Sequence, residues 1–293
     1  MGEISIDPKF NIHETYKKVR ILNPYRNSGI SLTYEVETTA YMYEINIPND
    51  ATIYYAGKPQ EATGSNLWTY IDDFIKREKL AGRWVNILYF RPRIKGTALA
   101  HSINLIDTTK FQGTYFGGWT HNELGSTGDG TSGYMTTGFN PSLEQISGQS
   151  GMGASLLDYT GTNVTGIMGC RNGSSDASEM FTPGNSYDFL FRYNAGNIGL
   201  LGSTPDLYGV QVLNRISSTS KLFYNGIEKK ISNGAGSLQN LEMYEGRINN
   251  LAGYNIKGRL GCTFQISNFT DVDCIDFSAS VEQLELDLKR KTW

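Results

Sequence analysis

Phe116-Gly117-Gly118-Trp119-Thr120-His121 is followed by Gly128-Asp129-Gly130-Thr131-Ser132-Gly133-Tyr134 and then by Thr137-Gly138-Phe139-Asn140-Pro141. Glycine at this density opposes a helix, because it loses more backbone entropy on ordering than any other residue. It suits short strands joined by tight turns, since glycine takes positive φ without strain. No catalytic cluster accompanies the stretch. It sets the expectation of a β scaffold for binding or assembly.

The flanking sequence continues the pattern. Strand-length segments are expected near 113–117, 133–138, 151–158, 164–170, 187–194, 197–202, 207–213, 220–224, 240–244 and 258–267. Asn172-Gly173, Asn225-Gly226 and Asn233-Gly234 punctuate them, and regular short strands with such turns predict a sandwich. Lys221 to Glu228 reads as a hairpin, because Asn225-Gly226 fits a type I′ turn. The fold class is therefore mainly β: an antiparallel β-sandwich or jelly roll over about 111–277, with a small N-terminal β region and two peripheral helices.

The first helix is expected over Ser65 to Lys79, with Ser65 as N-cap and Leu67, Trp68, Ile71, Phe74 and Ile75 as the apolar stripe. Asp72, Asp73, Lys76, Arg77 and Glu78 are expected to face water. Asn86 to Phe90 reads as a buried strand, and Thr97 to Ile106 fits a short helix. The second helix is expected after Ser278-Ala279-Ser280, with Ser280 and Gln283 as a capping box. Strands at 18–22, 31–37, 40–46 and 52–55 make residues 1–64 a β attachment region. Residues 65–110 form a connector packed on the sandwich, and 111–293 form the jelly roll with its closing helix.

A formal net charge of −3 gives no basic footprint for nucleic acid. No apolar run approaches the roughly 20 residues of a membrane span. Met1-Gly2-Glu3-Ile4-Ser5 carries no signal-peptide pattern. Cys170, Cys262 and Cys274 form no CxxC, and buried thiols made in a reducing compartment are expected.

His13, His101 and His121 lack metal-ligand spacing. Trp119, His121 and Tyr134 are the candidate ligand-binding residues, from an aromatic set that includes Tyr115, Phe116 and Phe139. Periodicity leaves that set open between a sugar-stacking face and core. Asp129, between two glycines, is a calcium candidate or an Asp-Gly turn. A glycosidase needs two carboxylates held about 5–10 Å apart across a cleft. Glu282, Glu285 and Asp287 fall on a helix, and Asp271 and Asp273 in a turn-like stretch, so the chain is expected not to be an enzyme.

Asn46 to Tyr55, Gly64-Ser65-Asn66-Leu67-Trp68, Gly82-Arg83-Trp84 and His101 to Asp107 precede the glycine-rich stretch, and Leu222 to Gly226 and Asp276-Phe277-Ser278 follow it. This order of elements, over residues 46–293, resembles the concanavalin A/laminin-G-like modules of tailed-bacteriophage virion structural proteins. The resemblance implies a jelly roll on the particle surface, made in the bacterial host cytoplasm, and supplies no catalytic residues. It implies a tail fibre or receptor-binding component, homo-oligomeric, attached to other virion proteins through its N-terminal region and facing a host-surface glycan. A capsid decoration or head fibre is the alternative, and a jelly-roll glycosidase the alternative of another class. No cofactor is expected beyond the calcium weighed at Asp129.

Overall fold

The computed structural model describes residues 12–13, 42–43, 67–161, 163–173, 177–182, 189–193, 199–201, 208–233 and 237–290. The chain divides into two units, Met1–Asn49 and Asp50–Trp293. In the first, β1 (Ile12–His13) pairs antiparallel with β2 (Met42–Tyr43). The strands expected at 18–22, 31–37 and 52–55 and the Ser65 cap lie outside the described residues.

The second unit opens with α1 (Leu67–Leu80), β3 (Ile87–Arg91) and the single-turn α2 (Ala98–His101). Then come β4 (Thr114–Phe116), β5 (Trp119–Asn122), β6 (Gly125–Gly128), β7 (Tyr134–Thr136) and the short α3 (Pro141–Glu144). The long strands follow: β8 (Gln149–Tyr159), β9 (Gly166–Arg171), β10 (Ala177–Phe181), β11 (Phe189–Tyr193), β12 (Gly199–Leu201) and β13 (Gly209–Ile216). The chain ends with β14 (Thr219–Tyr224), β15 (Ile227–Asn233), β16 (Tyr244–Glu245), β17 (Ile248–Asn249), β18 (Gly258–Ser267) and α4 (Asp271–Asp287).

The strands form two sheets. Sheet I runs β15-β14-β13-β8-β18-β6-β5, with β3 also paired to β18. Sheet II runs β12-β11-β10-β9-β16-β7-β4, with β17 also on β9. The β17–β9 pair is parallel, so sheet II is mixed rather than purely antiparallel. The β14–β15 turn places Asn225 at φ 48° and Gly226 at φ 71°, as the type I′ reading requires.

Alternation along the strands builds two cores. Met152, Ala154, Leu156, Leu213, Leu222 and Leu260 of sheet I point between the sheets, against Met168, Cys170 and Met180 of sheet II. On the other face of sheet I, Val210, Val212, Phe264 and Ile266 pack under the helices. There Phe74 of α1 stacks on Phe90 at 4.5 Å and Phe277 of α4 meets Phe264 edge-on at 4.9 Å. Each such side chain contributes about 1.5–3 kcal/mol on full burial. The result is three layers: helices, sheet I, sheet II. The three cysteines are buried in these cores and none is in a disulfide.

Several expectations are corrected. β3 belongs to sheet I, so the sandwich begins before residue 111. The 97–106 helix is reduced to one turn, 240–244 is strand only at its end, and β5, β6, β10 and β17 fall outside the expected strands. On α1, Asp72 and Glu78 are buried rather than facing water. Each is held by a cation: Lys76 lies 2.5 Å from Asp72, and Arg83 donates to both Glu78 oxygens at 2.7 and 3.1 Å.

The closing helix starts at Asp271, not after Ser280. Thr270 caps it: its hydroxyl accepts from Asp273 N at 3.1 Å, and Asp273 Oδ2 accepts from Thr270 N at 2.9 Å. Asp271 and Asp273 therefore occupy the positive end of a helix rather than a turn. Cys274, Phe277, Val281 and Leu284 continue a single buried stripe.

Candidate functional site: an aromatic row on the second sheet

The glycine-rich stretch folds into β4 to β7, at the end of both sheets. The burial of β4 and β7 alternates, so Thr114, Phe116, Tyr134 and Thr136 face out of sheet II, while Met135 faces in. Phe116 is paired with Tyr134 across β4–β7, and Tyr244 follows on β16, opposite Thr136. The three rings make one row. Phe116 stacks on Tyr134 at 5.1 Å and 13°, and Tyr134 on Tyr244 at 5.1 Å and 23°. Arg247 lies over the Tyr134 ring at 4.5 Å and the Tyr244 ring at 5.8 Å.

The row is open to solvent at Phe116, which is 43% exposed. Arg247 Nε is buried with no hydrogen-bond partner. Burial and the nearby Glu242 and Tyr134 push the Tyr244 phenol up, against the opposing Arg247. The Tyr244 phenol thus remains a hydroxyl donor at neutral pH. Chemically, the row offers flat apolar faces, polar tips and one guanidinium, a surface suited to stacking on a ligand with apolar faces and acceptor groups.

The structure divides the residues that the sequence grouped. Tyr134 belongs to the outer row. Trp119 and His121 alternate on β5 toward the inside, where Tyr115 packs edge-on to both at 5.3 and 4.5 Å. Phe139 is fully buried between the sheets. A Cβ at Gly246 would stand 2.5 Å from Trp119 Cζ2, so glycine there lets the backbone close over the indole.

His121 joins a buried polar knot. His101 Nδ1 lies 3.1 Å from His121 Nδ1 and 2.7 Å from Ser126 Oγ, and Tyr115 Oη lies 3.2 Å from the same Oγ. Two ring nitrogens this close share one hydrogen. Burial, then Arg93, His121 and Arg290, hold His101 down to about 3, so its ring is neutral. Burial and Arg93 lower His121 as well. Ser126 is fully buried, and its hydroxyl is engaged by all three side chains.

Asp129 serves its own loop. Its Oδ1 accepts from the backbone N of Thr131, Ser132 and Gly133 at 2.9, 2.9 and 3.0 Å. Its Oδ2 accepts from the Thr131 and Ser132 hydroxyls at 2.6 and 2.9 Å. Burial opposes the charge, but these bonds prevail and hold the carboxyl well below its usual range. Five donors aimed at one carboxylate are the environment of a turn, and a cation there has to displace them. Among the described residues no group of three or more His, Cys, Asp or Glu is placed to hold a metal ion.

Sequence reasoning reached Phe116 and Tyr134 but not Tyr244 or Arg247. Thr114-Tyr115-Phe116 and Tyr134-Met135-Thr136 carry a local signal in their polar–apolar alternation. Tyr244 comes from a two-residue strand far along the chain, and only the register of β16 on β7 brings it alongside.

No family model matches the chain, and no curated protein matches it. Solved structures do. A sialidase from Trypanosoma rangeli, in complex with 2,3-difluorosialic acid, aligns with a TM-score of 0.49 at 10% identity, over 68% of this chain and 33% of the sialidase. Domain 4 of a GH43 extracellular arabinanase from Geobacillus stearothermophilus, in complex with arabinotriose, aligns with a TM-score of 0.42 at 14% identity, over 66% and 98%. A botulinum neurotoxin type C structure, described by its interaction with two ganglioside molecules, aligns with a TM-score of 0.49 at 10% identity, over 69% and 53%. The chain thus spans a third of the sialidase and about half of the toxin chain. At these identities the likeness is one of fold, of sandwich or jelly-roll-like type. The expectation that the chain is not an enzyme is corrected by these neighbours: chains similar in fold include a sialidase and a domain of an arabinanase.

Proposed function

We propose that this chain is a surface-exposed glycan-binding module whose contact surface is the Phe116–Tyr134–Tyr244 row with Arg247. The observation that carries the reading is the stacking of three aromatic rings, 5.1 Å apart, on an open sheet face. Sugar rings present C–H faces to aromatic rings and hydroxyls to phenol and guanidinium groups, and this row supplies both. A row, unlike a pit, suits several residues of a glycan chain. Affinity per module is expected to be weak and to gain from repetition.

The sequence resemblance to virion modules supports the biological setting. In this reading the sandwich faces outward on a phage particle, as a tail fibre or receptor-binding component. Residues 1–64 attach it to other virion proteins, and several copies present their rows together.

The test is a glycan array probed with the intact chain, followed by titration of each hit against Tyr134→Ala and Phe116→Ala. Binding weakened at least tenfold in both variants supports the row. Undiminished binding, or no hit among host-surface glycans, removes it.

A further inference from the structure

The face of sheet I that carries the helices holds a second site. α4 covers Val212 and Phe223 but begins at Asp271, so the sheet runs on past its start. β13 and β14 place Asn214 beside Lys221 and Ile216 beside Thr219 on that uncovered strip. A pocket of about 250 Å³ lies there, lined by Asn214, Ile216, Thr219, Lys221 and Asp271. It adjoins a second pocket of about 330 Å³ that shares Ile216 and is bounded by Ser217, Gln149 and Asn268.

The polar atoms of the first pocket are incompletely matched. Asn214 is 2% exposed; its Nδ2 donates to Phe269 O at 2.9 Å, while its Oδ1 has no partner. Asp271 Oδ2 accepts from Lys221 Nζ at 2.5 Å, while its Oδ1 is also buried without a partner. Lys221 is shared with Glu228 at 2.9 Å. A buried acceptor without a donor is costly, and two in one pocket mark a place for a ligand that supplies hydrogens. The lining also holds a donor, the Lys221 ammonium, which has three hydrogens and two carboxylate partners. An amine can satisfy only the acceptors. A hydroxyl donates and accepts at once.

We infer that this pocket takes a single sugar residue through two neighbouring hydroxyls. One donates to Asn214 Oδ1 and the other to Asp271 Oδ1, the second accepting in turn from the Lys221 ammonium, with Ile216 against the ring's apolar face. Gly151, opposite Asn214 on β8, keeps room beside Oδ1: a Cβ there would come within 3.0 Å of it. The site lies on the helix side of sheet I, apart from the aromatic row on sheet II, and does not depend on it.

The experiment is methyl-detected NMR on the intact chain labelled at isoleucine and threonine, titrated with methyl glycosides of common hexoses. Saturable shifts of the Ile216 and Thr219 methyl signals are expected with at least one glycoside. They should weaken at least tenfold in Asn214→Leu, which removes the acceptor, and in Thr219→Arg, which fills the pocket from its half-exposed edge. The second variant keeps the test decisive where the first fails to fold. Absence of shifts at Ile216 and Thr219 with every glycoside overturns the proposal. So do shifts that persist undiminished in a folded variant.

Discussion

Arg91 and Glu245 meet between the two sheets, with Nη1 2.6 Å from Oε1 and both side chains fully buried. Arg93 pairs with the other carboxylate oxygen, and Thr263 donates to it at 2.9 Å. Burial works against the Glu245 charge, but Arg93 and Arg91 outweigh it and hold the carboxyl below its usual range. Removing Glu245 leaves two guanidiniums in a dry interior. Glu245→Ala should therefore destabilise by about 3–5 kcal/mol in urea unfolding. A loss under about 1 kcal/mol would show that water reaches the cluster.

Phe74 is fully buried and stacks on Phe90 at 4.5 Å, so it couples α1 to sheet I. Phe74→Ala should cost about 3–5 kcal/mol through loss of apolar burial and the cavity left behind. Unchanged melting would place this face outside the stabilising core.

The hairpin turn offers a test of backbone strain with little packing. Gly226 sits at φ 71°, and the nearest atom to an added Cβ is 3.4 Å away, an ordinary contact. Gly226→Ala should therefore cost about 1–2 kcal/mol, the penalty for a side chain in the left-handed region. Gly246, at φ 77°, adds a collision with the Trp119 indole to the same penalty. Gly246→Ala should destabilise more than Gly226→Ala when the two are unfolded side by side. The reverse order would mean that Trp119 moves aside freely.

Stability should fall on acidification, in part through the paired imidazoles. His101 is held down to about 3 and His121 is lowered. The unfolded chain titrates both near the ordinary histidine value of about 6.5. Between about 3 and 6.5 it binds more protons than the folded chain, so stability rises with pH across that window and is lost as pH falls through it. Around the pair, Arg93 and Arg290 supply positive charge, while Ser126 and Tyr115 supply only hydroxyls. The melting temperature of His101→Asn should therefore drop less between pH 7 and pH 4 than that of the wild type. An equal or steeper drop would refute the assignment.

The parts of this fold legible in the sequence are those set by local pattern. β18 runs from Gly258 to Ser267 as anticipated, the Asn225-Gly226 turn stands where its chemistry put it, and α1 shows its stripe at Ile71, Phe74 and Ile75. What stayed hidden depends on partners distant in the chain. Arg91, Arg93 and Glu245 look like surface charges until β3 and β16 bring them together. The first turn of α4 reads as a turn because Asp271 and Asp273 disfavour a helix interior, though they favour its start. The aromatic set could not be sorted, because Trp119 and Phe116 differ only in which way their strands face.

Binding and stability should come apart in a comparison of Tyr134→Ala with Phe74→Ala. Tyr134 lies on the outer face of sheet II between Phe116 and Tyr244, with Arg247 against its ring. Its truncation opens no cavity in either core, yet it breaks the row at its centre. Aromatic contacts of this kind contribute about 0.5–1.5 kcal/mol each beyond the area they bury, and Tyr134 makes two of them. Tyr134→Ala should weaken binding to an array-identified glycan at least tenfold while costing far less stability than Phe74→Ala. Phe74→Ala, kept well below its lowered melting temperature, should bind that glycan like the wild type, because Phe74 lies on the far side of sheet I. Isothermal titration of both variants beside their urea curves decides it. If Phe74→Ala loses binding while still folded, or Tyr134→Ala keeps it, the contact surface is elsewhere than the row.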